Sequence, residues 1–255
     1  MRIIETIFVA FSMFSAIPVP QKVWNEQNMR YALCAFPLVG VVIGVVCWGW
    51  TSLCQQMGLS ELLQGAGLCV IPVLITGGIH LDGYADTWDA LSSHAPVEKK
   101  HEILKDPNMG VFAGIHLCCY FVVSFALWAS LPQRSELMVL LGFCLSRSLS
   151  GFAVASFPLA KDTGLAHTFA SAADKKRVRV ILLLISFGLC ISLCLCGWNG
   201  IFMVMAALVS FFVYYQMAVK EFGGLSGDLA GWFLQTTELW MLSILVLSEY
   251  IEVRL

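Results

Sequence analysis

Seven apolar runs alternate with shorter polar stretches along this chain. They lie near residues 32–56, 62–79, 111–131, 137–157, 178–197, 200–219 and 230–250. Each approaches the ~20 residues that a helix needs to cross hydrocarbon. In lipid, such a run must satisfy its own backbone N–H and C=O groups, which dictates a helix. Ser60-Glu61 and Ser135-Glu136 read as N-terminal caps of the second and fourth spans. Ser171, with Asp174 three residues on, resembles a capping box opening the fifth, which makes Asp174 a cap rather than a catalytic group. Met1 to Ala16 carry Arg2 and Glu5 and are closed by Pro18 and Pro20. This stretch predicts a short interfacial or re-entrant helix, not a secretion signal. The expected fold is therefore all-α: a polytopic integral membrane helix bundle of about seven spans plus the N-terminal interfacial helix. No internal repeat, low-complexity tract or linker interrupts residues 1–255, so a single transmembrane domain is expected.

Composition agrees: 58% of residues are apolar and 13% charged, about half the charge of ordinary soluble domains. Charge then orients the spans. With the N-terminus inside, Arg2, Lys22, Arg30, Lys99, Lys100, Lys105, Lys161, Lys175, Lys176, Arg177, Arg179 and Lys220 fall on one side, against Arg134 and Arg254 on the other. Twelve basic residues against two predict a cytoplasmic N-terminus. The longer polar stretches, 80–110, 158–177 and 220–229, then share the cytoplasmic face, and a site built from them faces the cytoplasm. The net charge of −2 gives no case for nucleic acid. The ten cysteines lie in or beside apolar runs and read as small hydrophobes. Trp198 and Tyr250 fit interfacial anchoring.

Three carboxylates, Asp82, Asp86 and Asp89, follow the second run in the segment Gly77-Gly-Ile-His-Leu-Asp-Gly-Tyr-Ala-Asp-Thr-Trp-Asp89. On a helix their spacing places all three within an arc of about 60°. A face of acceptor-only side chains suits a hard cation such as Mg²⁺, and carboxylates at the edge of hydrocarbon mark function. His80 flanks this face, either orienting an aspartate, contacting substrate or serving the structure alone. Further on, Asp106-Pro-Asn forms a turn that holds Lys105 at the membrane surface, and Gly110 permits close backbone approach to a ligand. A lysine opposite a metal held by aspartates is the arrangement that clamps a diphosphate. Arg147, within the fourth run, needs a counter-charge or an anion: an aspartate or a substrate phosphate. A second acidic patch, Glu221-Phe-Gly-Gly-Leu-Ser-Gly-Asp228, leads into the last run with Glu238 deeper in it. Gly223, Gly224 and Gly227 before a helix N-terminus form a candidate anion site.

This ordered set is similar to the cobalamin synthase family, the adenosylcobinamide-GDP ribazoletransferases. The shared elements are Gly77-Gly-x-His80-x-Asp82-Gly-x-Ala-Asp86-x-x-Asp89, Lys105-Asp106 with Gly110, Arg147, Lys161-Asp-x-Gly164, and Gly223-Gly-x-Ser-Gly-Asp228 with Glu238. Two positions depart from the family pattern: Leu81 replaces an acidic residue and Ser226 replaces Thr. The resemblance implies a transferase of the prokaryotic cytoplasmic membrane that joins α-ribazole or its 5′-phosphate to adenosylcobinamide-GDP with release of GMP. It implies Mg²⁺ on Asp82, Asp86 and Asp89, catalytic roles for Asp89, Asp228, Lys105 and Arg147, and Asp89 or Asp228 as proton acceptor. Substrate contacts are expected from His80, Lys105, Asp106, Gly110, Arg147, Gly224, Gly227 and Glu238. Beyond the two substrates and membrane lipid, expected partners are other enzymes of the nucleotide loop and a second copy of the chain, which no residue demonstrates. A CDP-alcohol phosphatidyltransferase follows similar carboxylate logic, but its motif has Arg where Asp86 stands. An ion-coupled transporter commonly shows repeated halves and polar residues near the midplane; here the acids gather at helix ends.

Overall fold

The computed structural model describes residues 2–20, 26–161 and 163–252. Lys22, Asp162 and Arg254, and the side chains of Arg2 and Tyr250, lie outside what is described. All secondary structure elements of the described residues are helices: α1 (Arg2–Phe14), α2 (Glu26–Met29), α3 (Ala32–Met57), α4 (Glu61–Thr76), α5 (Ile79–Ser92), α6 (Val97–Ile103), α7 (Val111–Ala129), α8 (Glu136–Ser156), α9 (Leu165–Ala172), α10 (Lys175–Leu195), α11 (Trp198–Phe222) and α12 (Gly227–Glu252).

Six of these, α3, α7, α8, α10, α11 and α12, are long and apolar enough to cross a membrane. α4 and α5 meet the same criteria only as a pair bent by 95°, so the described residues hold six spans, or seven if this pair counts as one. Two consecutive glycines with positive φ, Gly77 at 66° and Gly78 at 79°, make the break; side chains there would strain the backbone. α5 leaves the axis of α4 and carries three aspartates, so it does not continue the apolar run of that helix. The expected polar loops are thus partly helical: 80–110 holds α5 and α6, and 158–177 holds α9.

The bundle is centred on α3, α8 and α12, which are mostly buried, while α7 and α10 leave most of their apolar surface exposed. Apolar side chains gain little from meeting one another in lipid, so small residues set where backbones touch. A Cβ at Gly40 would lie 2.5 Å from Phe143 O, and one at Gly44 2.7 Å from Leu140 Cα, so this small-xxx-small pair seats α3 on α8. Gly65 does the same for α4 against Ala129 of α7.

The interhelical segments at one end are tied together. Arg30 pairs with Asp174 at 2.7 Å, and Lys100 with Glu221 at 2.5 Å. Ala16 N–H donates to Ile75 O at 2.8 Å, and Leu225 N–H to Pro158 O at 2.8 Å. The basic segments read from the sequence therefore converge on one face. Ser60 caps α4 by accepting from Leu63 N–H at 3.3 Å. Two expected caps differ. Ser135 stands at the N-cap of α8 but donates its hydroxyl to Pro132 O at 2.6 Å. Ser171 belongs to α9 and donates to Thr168 O, while Asp174 alone caps α10 by accepting from Arg177 N–H at 3.3 Å.

Candidate active site

Asp82, Asp86 and Asp89 follow the Gly77–Gly78 break on α5; Asp82 is exposed and the other two are half-buried. Asp228 joins them from the first turn of α12. The approach depends on glycines on both helices. A Cβ at Gly83 would stand 2.7 Å from Asp228 O, and one at Gly231 2.7 Å from His80 O. Backbone-to-backbone contact between α5 and α12 thus merges two acidic patches that are separate in the sequence. Burial, and then the charges of Asp82, Asp228 and Asp89, push the Asp86 carboxyl up to about 7. Three like charges beside a half-buried carboxyl are a setting in which a cation would be stabilised.

Among the described residues, no three His, Cys, Asp or Glu side chains stand close enough together to hold a metal ion by themselves. The cluster is open rather than a cage. That suits Mg²⁺, which keeps several waters and takes one or two carboxylates together with substrate phosphate. Asp89 is placed differently from its neighbours: a Cβ on Gly110 would overlap both of its carboxylate oxygens. Gly110 is the N-cap of α7, so Asp89 rests at the positive end of that helix. The close approach anticipated at Gly110 is therefore made by Asp89 of the same chain.

Three hollows converge on the cluster. Asp82, Asp86 and Asp106 line an open groove. Asp82 and Asp228, with His80 and Gly227, also line a largely apolar cavity of about 340 Å³. Gly227 and Asp228 in turn line a cavity of about 280 Å³ whose other walls carry Lys105 and Lys161. Lys161 was legible only inside its motif, and its ammonium is held below the ordinary lysine range by burial and then by Lys105. His101 lies under the same influence: burial, then Lys161, lower its pKa. Two lysines thus share a single cavity with Asp228, the α12 member of the carboxylate cluster. Asp106 is fixed by accepting from Asn108 N–H and Nδ2, each at 2.9 Å. These bonds hold its carboxyl below the usual range, the backbone bond first.

The glycine loop is only partly available to an anion. Gly224 is buried: a Cβ there would lie 2.5 Å from Ala160 N, and its N–H donates to Ala218 O at 2.9 Å. It clamps the loop to residues 158–160 instead. Gly227 has open space around it. Ser226 accepts from Leu229 N–H at 3.3 Å and so caps α12.

Arg147 and Glu238 meet in the bundle interior. Arg147 Nη1 lies 2.6 Å from Glu238 Oε1, with side-chain exposures of 1% and 11%. Ser146 Oγ donates to the same oxygen at 2.7 Å, and Nη1 also donates to Phe143 O at 3.0 Å. The counter-charge of Arg147 is thus Glu238 rather than an aspartate. Neither residue lines the groove or the two cavities at the cluster. Glu238 borders a separate hollow of about 40 Å³ with Tyr120 and Gln235, whose side chains hydrogen-bond at 2.5 Å.

Residues 6–246 match the family model described as cobalamin-5-phosphate synthase. A relative from Lachnoclostridium phytofermentans, named adenosylcobinamide-GDP ribazoletransferase, is 41% identical over 250 residues, covering 98% of this chain and 96% of the relative. Relatives of the same name from Clostridium botulinum strain Alaska E43 and from Geobacillus sp. strain WCH70 are each 30% identical, over 93% and 96% of this chain and 95% and 97% of their own lengths. No solved structure matches the chain. With an acidic cluster facing two lysines at the end of a membrane bundle, and a match along nearly its whole length, the chain belongs to the cobalamin-5-phosphate synthase family.

Proposed function

We propose that this enzyme joins α-ribazole, or its 5′-phosphate, to adenosylcobinamide-GDP at the cytoplasmic face of a prokaryotic inner membrane. A ribazole hydroxyl oxygen forms a bond to the phosphorus attached to cobinamide, the bond from that phosphorus to GMP breaks, and GMP leaves. The family supports the reaction. The observation that carries the site assignment is the carboxylate cluster with Lys105 and Lys161 across a cavity that Asp228 shares with them. Displacement at phosphorus asks a protein mainly for positioning and charge neutralisation. Mg²⁺ held by one or two of the carboxylates Asp82, Asp86 and Asp89, together with the diphosphate itself, would supply charge neutralisation there. Lys105 and Lys161 offset charge on the departing GMP. Asp228 accepts the hydroxyl proton, a role for which it is better placed than Asp89, since it lines both cavities while Asp89 rests on Gly110. The buried Arg147–Glu238 pair braces α8 against α12 and so fixes the helix that carries Asp228.

The test is a reaction of the purified chain, in lipid-supplied detergent, with both substrates and Mg²⁺. GMP and the joined corrinoid should appear in equal amounts and only when both substrates are present. Release of GMP without the joined product would mean hydrolysis, and no release from folded protein would remove the assignment. The cytoplasmic orientation rests on the basic asymmetry; a cysteine label introduced at His94 should react from the cytoplasmic side alone.

A further inference from the structure

The apolar cavity beside the cluster is not used by the chemistry above. Its volume, about 340 Å³, falls within the range of small-molecule sites. Its walls come from α1, α3, α5, α8, α9 and α12, and aromatic rings dominate one side. Phe14 lies 4.2 Å from Phe36 and 5.4 Å from Phe169 between ring centroids, and Phe36 lies 5.7 Å from the imidazole of His80. Val154 and Leu234 add aliphatic surface. His80 is 6% exposed, and its buried Nε2 has no hydrogen-bond partner. An unpaired imidazole among phenylalanines is costly unless something arrives to pair with it. Asp82, Gly227 and Asp228 stand where this cavity adjoins the groove and the lysine cavity.

We infer that this cavity binds the benzimidazole base of α-ribazole against the cluster of phenylalanine rings, with the His80 imidazole donating to the ring's acceptor nitrogen and the ribose directed to Asp228. The inference rests on the proposed reaction and adds the place and chemistry of nucleophile recognition. Size and polarity select this occupant among the groups of the two substrates. A corrin macrocycle is too large. Guanine could offer N1–H and its amino group to Asp82 or Asp228, but it would bring O6 and N7 into walls with few donors, leaving them unpaired at a cost. A methyl-bearing benzimidazole is flat and uncharged, and it presents a single acceptor.

The probe is free 5,6-dimethylbenzimidazole, bound to the full chain in lipid-supplied detergent and followed by equilibrium dialysis. It should compete with α-ribazole and leave adenosylcobinamide-GDP binding unaffected, an expectation that requires no variant. Val154→Phe, filling the cavity from α8, should weaken the base and raise KM for α-ribazole at least tenfold while KM for adenosylcobinamide-GDP holds. His80→Phe should weaken benzimidazole about ten- to hundredfold and leave indole, which has C–H in place of the acceptor, unchanged. The inference is overturned if the base does not compete with α-ribazole, if both variants raise KM for adenosylcobinamide-GDP instead, or if a retained lipid chain fills the cavity and the base does not displace it. GMP release separates the two levels. Release by wild type with a base that ignores the cavity defeats this inference alone, and absence of release with base still bound defeats the reaction.

Discussion

Replacing Gly83 with Ala isolates what holds the acidic cluster together. The added methyl carbon would stand 2.7 Å from Asp228 O and 2.8 Å from Asp228 Cα. Ordinary contact begins near 3.4 Å, so α5 and α12 must part by roughly 0.7 Å. Overpacking of this kind costs about 1–3 kcal/mol. Alanine recovers about 1 kcal/mol because it is the better helix former. The expected net loss of stability is therefore small, about 0–2 kcal/mol. Function should respond far more strongly, since Asp228 moves with α12 away from Asp82 and Asp86. A displacement near 1 Å at a positioned group can cost about a hundredfold in rate. The assay pairs thermal unfolding in detergent with GMP release at saturating substrates. Gly83→Ala should lower kcat about 30- to 100-fold with a shift in Tm of only a few degrees. Gly188→Ala on lipid-facing α10, where nothing lies within 4 Å of the new carbon, should leave both unchanged. Full activity in Gly83→Ala would refute the claim that this helix contact assembles the site.

Three further outcomes are expected. Arg147→Leu or Glu238→Leu alone should destabilise by about 3–5 kcal/mol by leaving one charge buried and unpaired, whereas the double substitution should regain much of that; thermal unfolding of the three variants checks this, and equal loss in all three would contradict it. Because the Asp86 carboxyl is raised to about 7, protons and metal compete for it as pH falls through that value. The Mg²⁺ concentration for half-maximal rate should rise up to tenfold per pH unit below 7 and level off above it, and Asp86→Asn should abolish the trend. In the metal-free protein the sign is opposite for stability: an acid raised in the folded state stabilises it most below the unfolded value of 3.8, and that contribution is lost as pH rises to about 7. Gly224→Ala should unseat residues 158–160, lowering Tm and weakening the contribution of neighbouring Lys161; unchanged unfolding and rate would show that the clamp is dispensable.

The spans were legible because hydrophobic length in lipid leaves a chain little choice of structure. That Asp82 and Asp86 share one side of α5 was legible too from helical spacing, whereas the turn of Asp89 toward Gly110 was not. The fourth carboxylate was visible as a residue but not as a neighbour: nothing in the order of residues says that Gly83 and Gly231 let α5 and α12 touch. The role of Gly224 was misread for a related reason. A glycine that admits a ligand and one that admits another backbone segment look the same until the segment at 158–160 is placed. Arg147 announced its need for a partner, yet Glu238 lies 91 residues away, and the choice between it and an aspartate belongs to the packing of α8 on α12. Ser135 does stand at the N-cap of α8, but its hydroxyl bonds backward to a carbonyl, as does that of Ser171, which belongs to the end of α9 rather than to the start of α10.

The central claim is that carboxylates from α5 and α12 act as one cation site completed by substrate phosphate. Mn²⁺ is a paramagnetic stand-in for Mg²⁺, and its binding can be followed by electron paramagnetic resonance with and without adenosylcobinamide-GDP. Binding should be weak to the protein alone and much tighter with the diphosphate present, and both Asp82→Asn and Gly83→Ala should lose that tightening. Tight binding that needs no diphosphate and survives both substitutions would place the cation elsewhere and contradict it.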